Sequence, residues 1–197
     1  MSDYSNYDDA LDPKYGDPFP VPVVMATKET LKGYGTIVAS WRKLYPNTGI
    51  LGGECSGDFL YKWVGDQCTA INKAVGGNYV TGRLPSNVSP RNRTHVLVRA
   101  ANYHPDGGQV FFPENKDPFI ALLALPGDDI KLEDFVAFYF DGSFGVQIHA
   151  DVWHQPVYPI NDEATFLGKQ GAVHACVNVD TVDEFGKYLL VPLSRPE

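Results

Sequence analysis

The sequence predicts a mostly-β protein made of many short antiparallel strands, arranged as a sandwich or barrel. Short apolar runs recur along the chain and are separated by turn residues, with nineteen glycines and fifteen prolines to form those turns. Eleven phenylalanines and eleven tyrosines add to the preference for strands. The pattern does not alternate strands with long helices, as a parallel sheet would require. A chain of 197 residues can bury the core of one such domain without disulfides.

The expected order of elements begins with a polar, acidic arm over residues 1–20, followed by the barrel domain over 21–197. A short helix is expected to begin at Thr27 and to end at Gly33 and Gly35. The segments predicted as strands are 21–25, 36–40, 58–64, 68–72, 78–84, 94–102, 109–113, 119–125, 145–150, 165–169, 172–179 and 188–193.

One segment predicts a longer helix. Leu132, Phe135, Val136 and Tyr139 fall at spacings of three, four and seven residues, which is typical of the apolar face of an amphipathic helix. We therefore expect residues 131–140 to form the main helix of the domain.

Charge and cysteine content narrow the classes of function. The formal net charge is −8 and the chain has no run of five basic residues, which disfavours nucleic acid and anionic membranes as partners. Three cysteines without a CxxC pair indicate reduced thiols, not a disulfide framework. The polar N-terminus does not resemble a signal peptide, and no apolar stretch is long enough to cross a membrane. We expect a cytoplasmic protein.

The first candidate motif lies at the end of the strand over 94–102. Side chains alternate faces along a strand, so Asn102 and His104 are expected to share the face of Val96 and Val98. A tight turn at 105–108 then begins the next strand at Gln109, as in a hairpin. Although a lone histidine is more often structural, its polar neighbours here predict a small-molecule site.

The second candidate motif is residues 141–160, where His149 and His154 lie five residues apart and Gln147 is on the strand face of His149. Histidines can transfer protons near neutral pH or bind a metal. A corner built from Trp153 and the neighbouring prolines is the structural alternative. Only a bend or bulge near Asp151 would let both histidines face inward.

Taken together, the two motifs resemble those of the ureidoglycolate lyases. The resemblance rests on His-Pro-Asp-Gly-Gly-Gln at 104–109 and on Gly-Val-Gln-Ile-His-Ala-Asp-Val-Trp-His-Gln-Pro at 145–156, with weaker similarity over about residues 21–193. It implies a single-domain antiparallel barrel of the cupin (jelly-roll) type with a few short helices. It also implies a lyase of allantoin catabolism that releases urea from ureidoglycolate to give glyoxylate, or a close relative that acts on a similar hydroxy acid.

The resemblance also implies roles for particular residues. His154, His149 and His104 would be catalytic, and a divalent metal (Ni, Zn, Mn or Fe) would bind His104, Gln109 and His154, with no nucleotide cofactor. The residues expected to bind substrate are Asn102, Gln109, Gln147, Arg93 and Arg91. A homodimer is expected from the same resemblance.

The sequence departs from the family pattern at three residues that leave other functions open. Ile148 replaces the tyrosine of the family segment. Asn102 stands where cupins place a histidine and where ureidoglycolate lyases usually place a carboxylate, and Gln155 replaces a second histidine. Two histidines and neutral amides are a weak ligand set for Zn²⁺ or Ni²⁺. The alternatives are another cupin isomerase, lyase or oxygenase acting on a small keto or hydroxy acid, or a non-catalytic small-molecule-binding cupin.

Overall fold

The computed structural model describes residues 16–41, 55–72, 77–105, 107–170 and 175–197. The described chain is mostly β, as predicted. Its strands are β1 Phe19–Pro20, β2 Val23–Met25, β3 Gly35–Val38, β4 Cys55–Val64, β5 Gln67–Asn72, β6 Gly77–Arg83, β7 His95–Val98, β8 Ala100–Tyr103, β9 Gln109–Pro113, β10 Phe119–Ala124, β11 Val136–Phe140, β12 Gly145–Ile148, β13 Trp153–His154, β14 Tyr158–Pro159, β15 Glu163–Gln170, β16 Val177–Asp180 and β17 Leu189–Pro192. One short α-helix, α1 Thr181–Phe185, and a 3-10 turn at Leu132–Asp134 are also present.

The strands form two sheets. One has ten strands in the order β1-β17-β7-β6-β5-β4-β15-β9-β12-β3. The other has seven, in the order β16-β8-β13-β10-β11-β2, with β14 also paired to β10. All pairings are antiparallel except β1 with β17 and β11 with β2. This arrangement is compatible with a jelly roll, although the pairing of the described strands does not close either sheet into a barrel.

Strand β10 lies between two hydrophobic cores. Ile120 and Leu122 pack in one cluster with Val96, which we call the first core. Ala121 and Leu123 pack in another cluster, which contains phenylalanines of both sheets and which we call the second core. All six residues of β10 are buried, because alternate side chains enter opposite cores. The seven-stranded sheet therefore has an apolar layer on each face.

The predicted helix over residues 131–140 is wrong. Only Leu132–Asp134 turns, as a 3-10 helix, and Val136–Phe140 is β11, paired with β10 and β2. The apolar spacing was misleading because β11 is covered on both sides: Ala137 packs in the first core and Phe138 in the second. A strand buried on both faces has no polar alternation, so its sequence can match a helical period by chance.

The segment expected to be a short helix at Thr27 is a turn. The Thr27 Oγ1 atom accepts a 3.1 Å hydrogen bond from the Thr30 amide, and the Thr30 Oγ1 atom accepts a 2.9 Å bond from the Thr27 amide. This reciprocal pair is the capping arrangement expected at a helix start, but the chain continues into β3 after about one turn. Residues 1–15 of the predicted arm lie outside the described residues, and its last two residues form β1. None of the helices in the described ranges is long and apolar enough to cross a membrane.

Candidate active site

The first motif crosses from one sheet to the other instead of forming the predicted hairpin. Strand β8 pairs with β13 and β16, whereas β9 pairs with β12 and β15. Just before β9, Gly108 passes so close to the end of β12 that a Cβ atom on it would meet the carbonyl oxygen of Ile148. Only glycine allows so close an approach of the two backbones. The crossing brings the end of β8 and the start of β9 together, as the sequence predicted.

The predicted alternation of faces also breaks within this segment. Val96 and Val98 of β7 pack in the first core, and so do Ala101 and Tyr103 of β8. The alternation therefore shifts by one residue at Arg99, between the two strands, where the chain leaves one sheet for the other. As a result, the intervening residues of β8 face away from the first core, not with Val96 as the sequence predicted.

Three of the predicted site residues come together in the interior. The His154 Nε2 atom lies 3.2 Å from Gln109 Oε1, and the ring centroids of His104 and His154 are 5.0 Å apart, with the rings nearly perpendicular. All three side chains are buried. Asn102 is half-buried and lies directly opposite His154 across the β8–β13 pairing. The structure thus brings Asn102, His104, Gln109 and His154 together.

His154 is held as a neutral imidazole. Burial, and then the neighbouring His104, lower its pKa from 6.5 to about 4. Its Nδ1 atom is 2.8 Å from the carbonyl oxygen of Val152, which can only accept a hydrogen bond. The single proton of neutral His154 is therefore on Nδ1, and Nε2 presents a lone pair to the interior. Without substrate, the amide nitrogen of Gln109 can donate to that lone pair, because the two ends of an amide group have the same shape; a bound hydroxyl would take the place of this donor.

A sharp turn separates His149 from His154. Asp151 has a φ of +64°, which is unusual for a residue with a side chain, and its amide donates to the His104 carbonyl oxygen at 3.1 Å. This is the bend that the sequence analysis required near Asp151. It carries the chain from β12 in one sheet to β13 in the other, and it does not bring the two histidines together.

His149 and Gln147 lie on the other side of the ten-stranded sheet from the buried group. Val146 and Ile148 pack in the second core, so the intervening Gln147 points to the outer face. His149 is exposed, and its Nε2 atom is 2.9 Å from the hydroxyl of Thr36, which lies opposite Gln147 on β3. The structure therefore does not join either residue to His104 and His154.

The two predicted arginines are also placed elsewhere. The Arg93 guanidinium lies over the ring of Trp63, 5.2 Å from its centroid, and bonds Asp162 at 2.8 Å. Trp63 belongs to the first core, on the opposite face of the seven-stranded sheet from His154. Arg91 is exposed, two residues away along the same turn. Their role in binding substrate stays a prediction that these contacts do not support.

Comparison with known proteins is decisive for the family. The family model described as ureidoglycolate lyase matches residues 20–185, a range that includes both histidine motifs. The chain belongs to the ureidoglycolate lyase family. A ureidoglycolate lyase of Azotobacter vinelandii is 37% identical over 72 residues, which are 36% of this chain and 43% of that protein. One of Salmonella enteritidis PT4 is 35% identical over 72 residues, 36% of this chain and 45% of that protein. The aligned stretch thus spans less than half of these curated relatives.

Membership in the ureidoglycolate lyase family is consistent with a metal, but the side chains at this site do not fit one well. His104 and His154 offer two imidazoles, and Gln109 adds only a neutral amide. Divalent transition metals in proteins generally have a third strong ligand, such as a carboxylate or a further histidine. Across the described ranges, no group of three or more histidine, cysteine, aspartate or glutamate side chains is arranged to hold a metal ion. The predicted metal site stays a prediction without support from this ligand set.

A cavity of about 390 Å³ lies apart from the histidines. Its walls include Tyr34, Leu125 and Ile130, together with the carboxylates of Asp129 and Glu133. Its lining also includes Asp134 but no histidine, so any base that it offers is a carboxylate. The arrangement that brings two imidazoles together is the buried group of His104, Gln109 and His154.

Proposed function

We propose that this chain is a lyase that converts ureidoglycolate into glyoxylate and urea. The observation that best supports this proposal is the neutral, buried His154. Its Nδ1 atom bonds the Val152 carbonyl, which directs the Nε2 lone pair into the site. Family membership supports the reaction class. Because the alignments cover less than half of the curated relatives, the substrate is part of the proposal.

The reaction needs one proton to move between two atoms of the substrate. Ureidoglycolate carries a hydroxyl and a ureido nitrogen on the same carbon. When the hydroxyl loses its proton, its electrons form the carbonyl of glyoxylate, the carbon–nitrogen bond breaks, and the departing nitrogen takes up a proton to give urea. One proton leaves the oxygen and one proton is added to the nitrogen, so a single residue can act first as the base and then as the acid.

His154 can perform both transfers. Its Nε2 lone pair accepts the hydroxyl proton, a step that the low pKa of about 4 makes harder, and for the same reason the resulting imidazolium is a strong acid. It therefore returns the proton readily to the departing nitrogen. The Val152 carbonyl holds the ring in one orientation throughout. Such a shuttle does not need His149, which the sequence analysis had assigned as the second acid–base group.

The homodimer is also part of the proposal, and it rests on the family resemblance alone. Sedimentation of the purified protein tests it at micromolar concentration. A species near 43 kDa, about twice the 21.7 kDa of one chain, is expected. A single species of the monomer mass would contradict it.

The experiment that tests the reaction is a product assay with purified protein. Incubation with ureidoglycolate should release glyoxylate and urea in equal amounts, faster than the spontaneous decay of the substrate. Measuring both products matters, because a hydrolase that produced ammonia would leave urea below glyoxylate. Turnover that does not exceed the buffer control would overturn the proposed function.

A further inference from the structure

Side-chain amides extend the site along the seven-stranded sheet. Asn178 of β16 lies opposite Asn102 of β8, and Asn102 lies opposite His154 of β13. Residues directly opposite in antiparallel strands place their side chains on the same face. Asn178, Asn102 and His154 therefore form one row across three neighbouring strands, with about 5 Å between strands.

This row faces the site and runs from an exposed position to a buried one. Val179 and Trp153, the strand neighbours of Asn178 and His154, both pack in the first core, so the row faces the other way. Along the row, Asn178 is exposed, Asn102 is half-buried and His154 is buried. The row therefore joins an exposed amide to the buried proposed base through a half-buried one.

The ten-stranded sheet carries a matching pair of amides. Gln170 at the end of β15 lies opposite Gln109 of β9. Gln170 continues the side of β15 that includes Phe166 and Gly168, which faces the second core; a Cβ atom on Gly168 would meet the ring of Phe59. Since Gln109 contacts His154, the amides of the two sheets meet at the histidine.

The chemistry of these rows suits a neutral, planar ligand group. A side-chain amide has one carbonyl acceptor and one NH₂ donor in the same plane. A ureido group presents the complementary set, a carbonyl oxygen beside N–H donors, so one side-chain amide can make two hydrogen bonds to it. The two rows contain no charged side chain among the residues that the register places in them.

We propose that Gln170 and Asn178 bind the ureido group of the substrate and so select carbamoyl compounds over other hydroxy and keto acids. The inference rests on the proposed function, and it assigns a binding role to two residues that the motif pattern did not single out. Replacement of either amide leaves one end of the ureido group without its hydrogen bonds. In the wild-type protein, a ligand without the ureido group would leave these amides unpaired and would bind more weakly.

The test compares two unreactive ligands by calorimetry. Ureidoacetate keeps the ureido group but lacks the hydroxyl, so it cannot release urea. N-acetylglycine differs from it only by a methyl group in place of the terminal NH₂. The wild-type protein should bind ureidoacetate about tenfold more tightly than N-acetylglycine, and both Gln170→Leu and Asn178→Leu should lose most of that preference.

A matched amide provides the control. Gln67 is half-buried on β5 and lies opposite Val64, the last residue of β4. That end of β4 pairs with the start of β15, whereas Gln170 is the last residue of β15. Gln67 therefore lies at the opposite end of these strands from Gln170. Gln67→Leu should keep the wild-type preference. Gln170→Met and Asn178→Ala, which also remove the oxygen that would accept from the terminal NH₂, should lose the preference as the leucine variants do, even if a leucine variant folds poorly.

The outcomes separate this inference from the proposed reaction. Equal binding of the two ligands by wild type, or an unchanged preference in folded Gln170 and Asn178 variants, overturns the role of the amides, whatever the turnover. A preference that depends on both residues supports that role even if ureidoglycolate is not converted, in which case only the proposed reaction fails.

Discussion

The buried group of His104, Gln109 and His154 and the outer-face pair of Gln147 and His149 come from the same motifs, yet they have different environments. The first group lies between the sheets, where burial lowers the pKa of His154 and hydrogen bonds fix its ring. The second lies on the outer face, where the His149 Nε2 atom is 2.9 Å from the Thr36 hydroxyl. A residue's place in a motif therefore does not determine its environment; the face of the strand does.

The largest expected effect separates the two histidines by activity. His154→Ala should lower turnover of ureidoglycolate by roughly a hundredfold or more, which is the usual range for loss of an acid–base group. The measurement is kcat from glyoxylate release, with thermal unfolding to confirm that the variant is folded. A folded His154→Ala variant with full activity would show that the site is wrong, and that the segment is the aromatic–proline corner considered from the sequence.

The second expected effect is on acid stability. The unfolded chain protonates this histidine near pH 6.5, but the folded protein does so only near pH 4. Between these values the unfolded state binds a proton that the folded state does not, so the free energy of unfolding decreases as the pH falls. The decrease should be about 1.4 kcal/mol per pH unit, or about 2 kcal/mol from pH 6.5 to 5. Above pH 6.5 this contribution is constant.

Urea unfolding of wild type and His154→Gln at pH 7, 6 and 5 measures this difference. The glutamine variant should lose less stability on acidification, since the carboxylates common to both proteins contribute equally to each. Parallel curves for wild type and His154→Gln would mean that His154 is not buried as a neutral imidazole.

The smallest expected effect concerns the exposed histidine. His149→Asn should change kcat by no more than about twofold, because its ring lies across the sheet from the buried group and contacts Thr36. The assay is the same one used for His154→Ala. A loss of tenfold or more in a folded His149→Asn protein would mean that the turn at Asp151 rearranges to bring His149 to the substrate.

Most of the strands and the central part of the site could be predicted from the sequence, because both depend on local patterns. Apolar runs between turn residues identified strands such as β4 and β10, and the motif spacing identified His104, Gln109 and His154. Strand β11 could not be recognised, because burial on both faces removes the alternation that marks a strand.

The limits of the site could not be predicted, because they depend on pairing between distant segments. His149 and Gln147 were assigned to the site because the sequence does not show which face of β12 is covered by the other sheet. Conversely, Gln170 and Asn178 join the site only through the register of β15 with β9 and of β16 with β8, which no motif in the sequence records. Arg93 looked free to bind a carboxylate until its contacts with Trp63 and Asp162 were known.

The most direct test of the central claim is to observe which histidines respond when a ligand binds. In protein with ¹⁵N-labelled histidine, the ring signals of His104, His149 and His154 can be assigned with single substitutions and then followed during titration with ureidoacetate at pH 7. The account predicts a neutral His154 protonated on Nδ1, with the signals of His104 and His154 shifting on saturation and that of His149 unchanged. A titration that shifts His149 and leaves His154 unaffected would contradict the placement of the active site between the sheets.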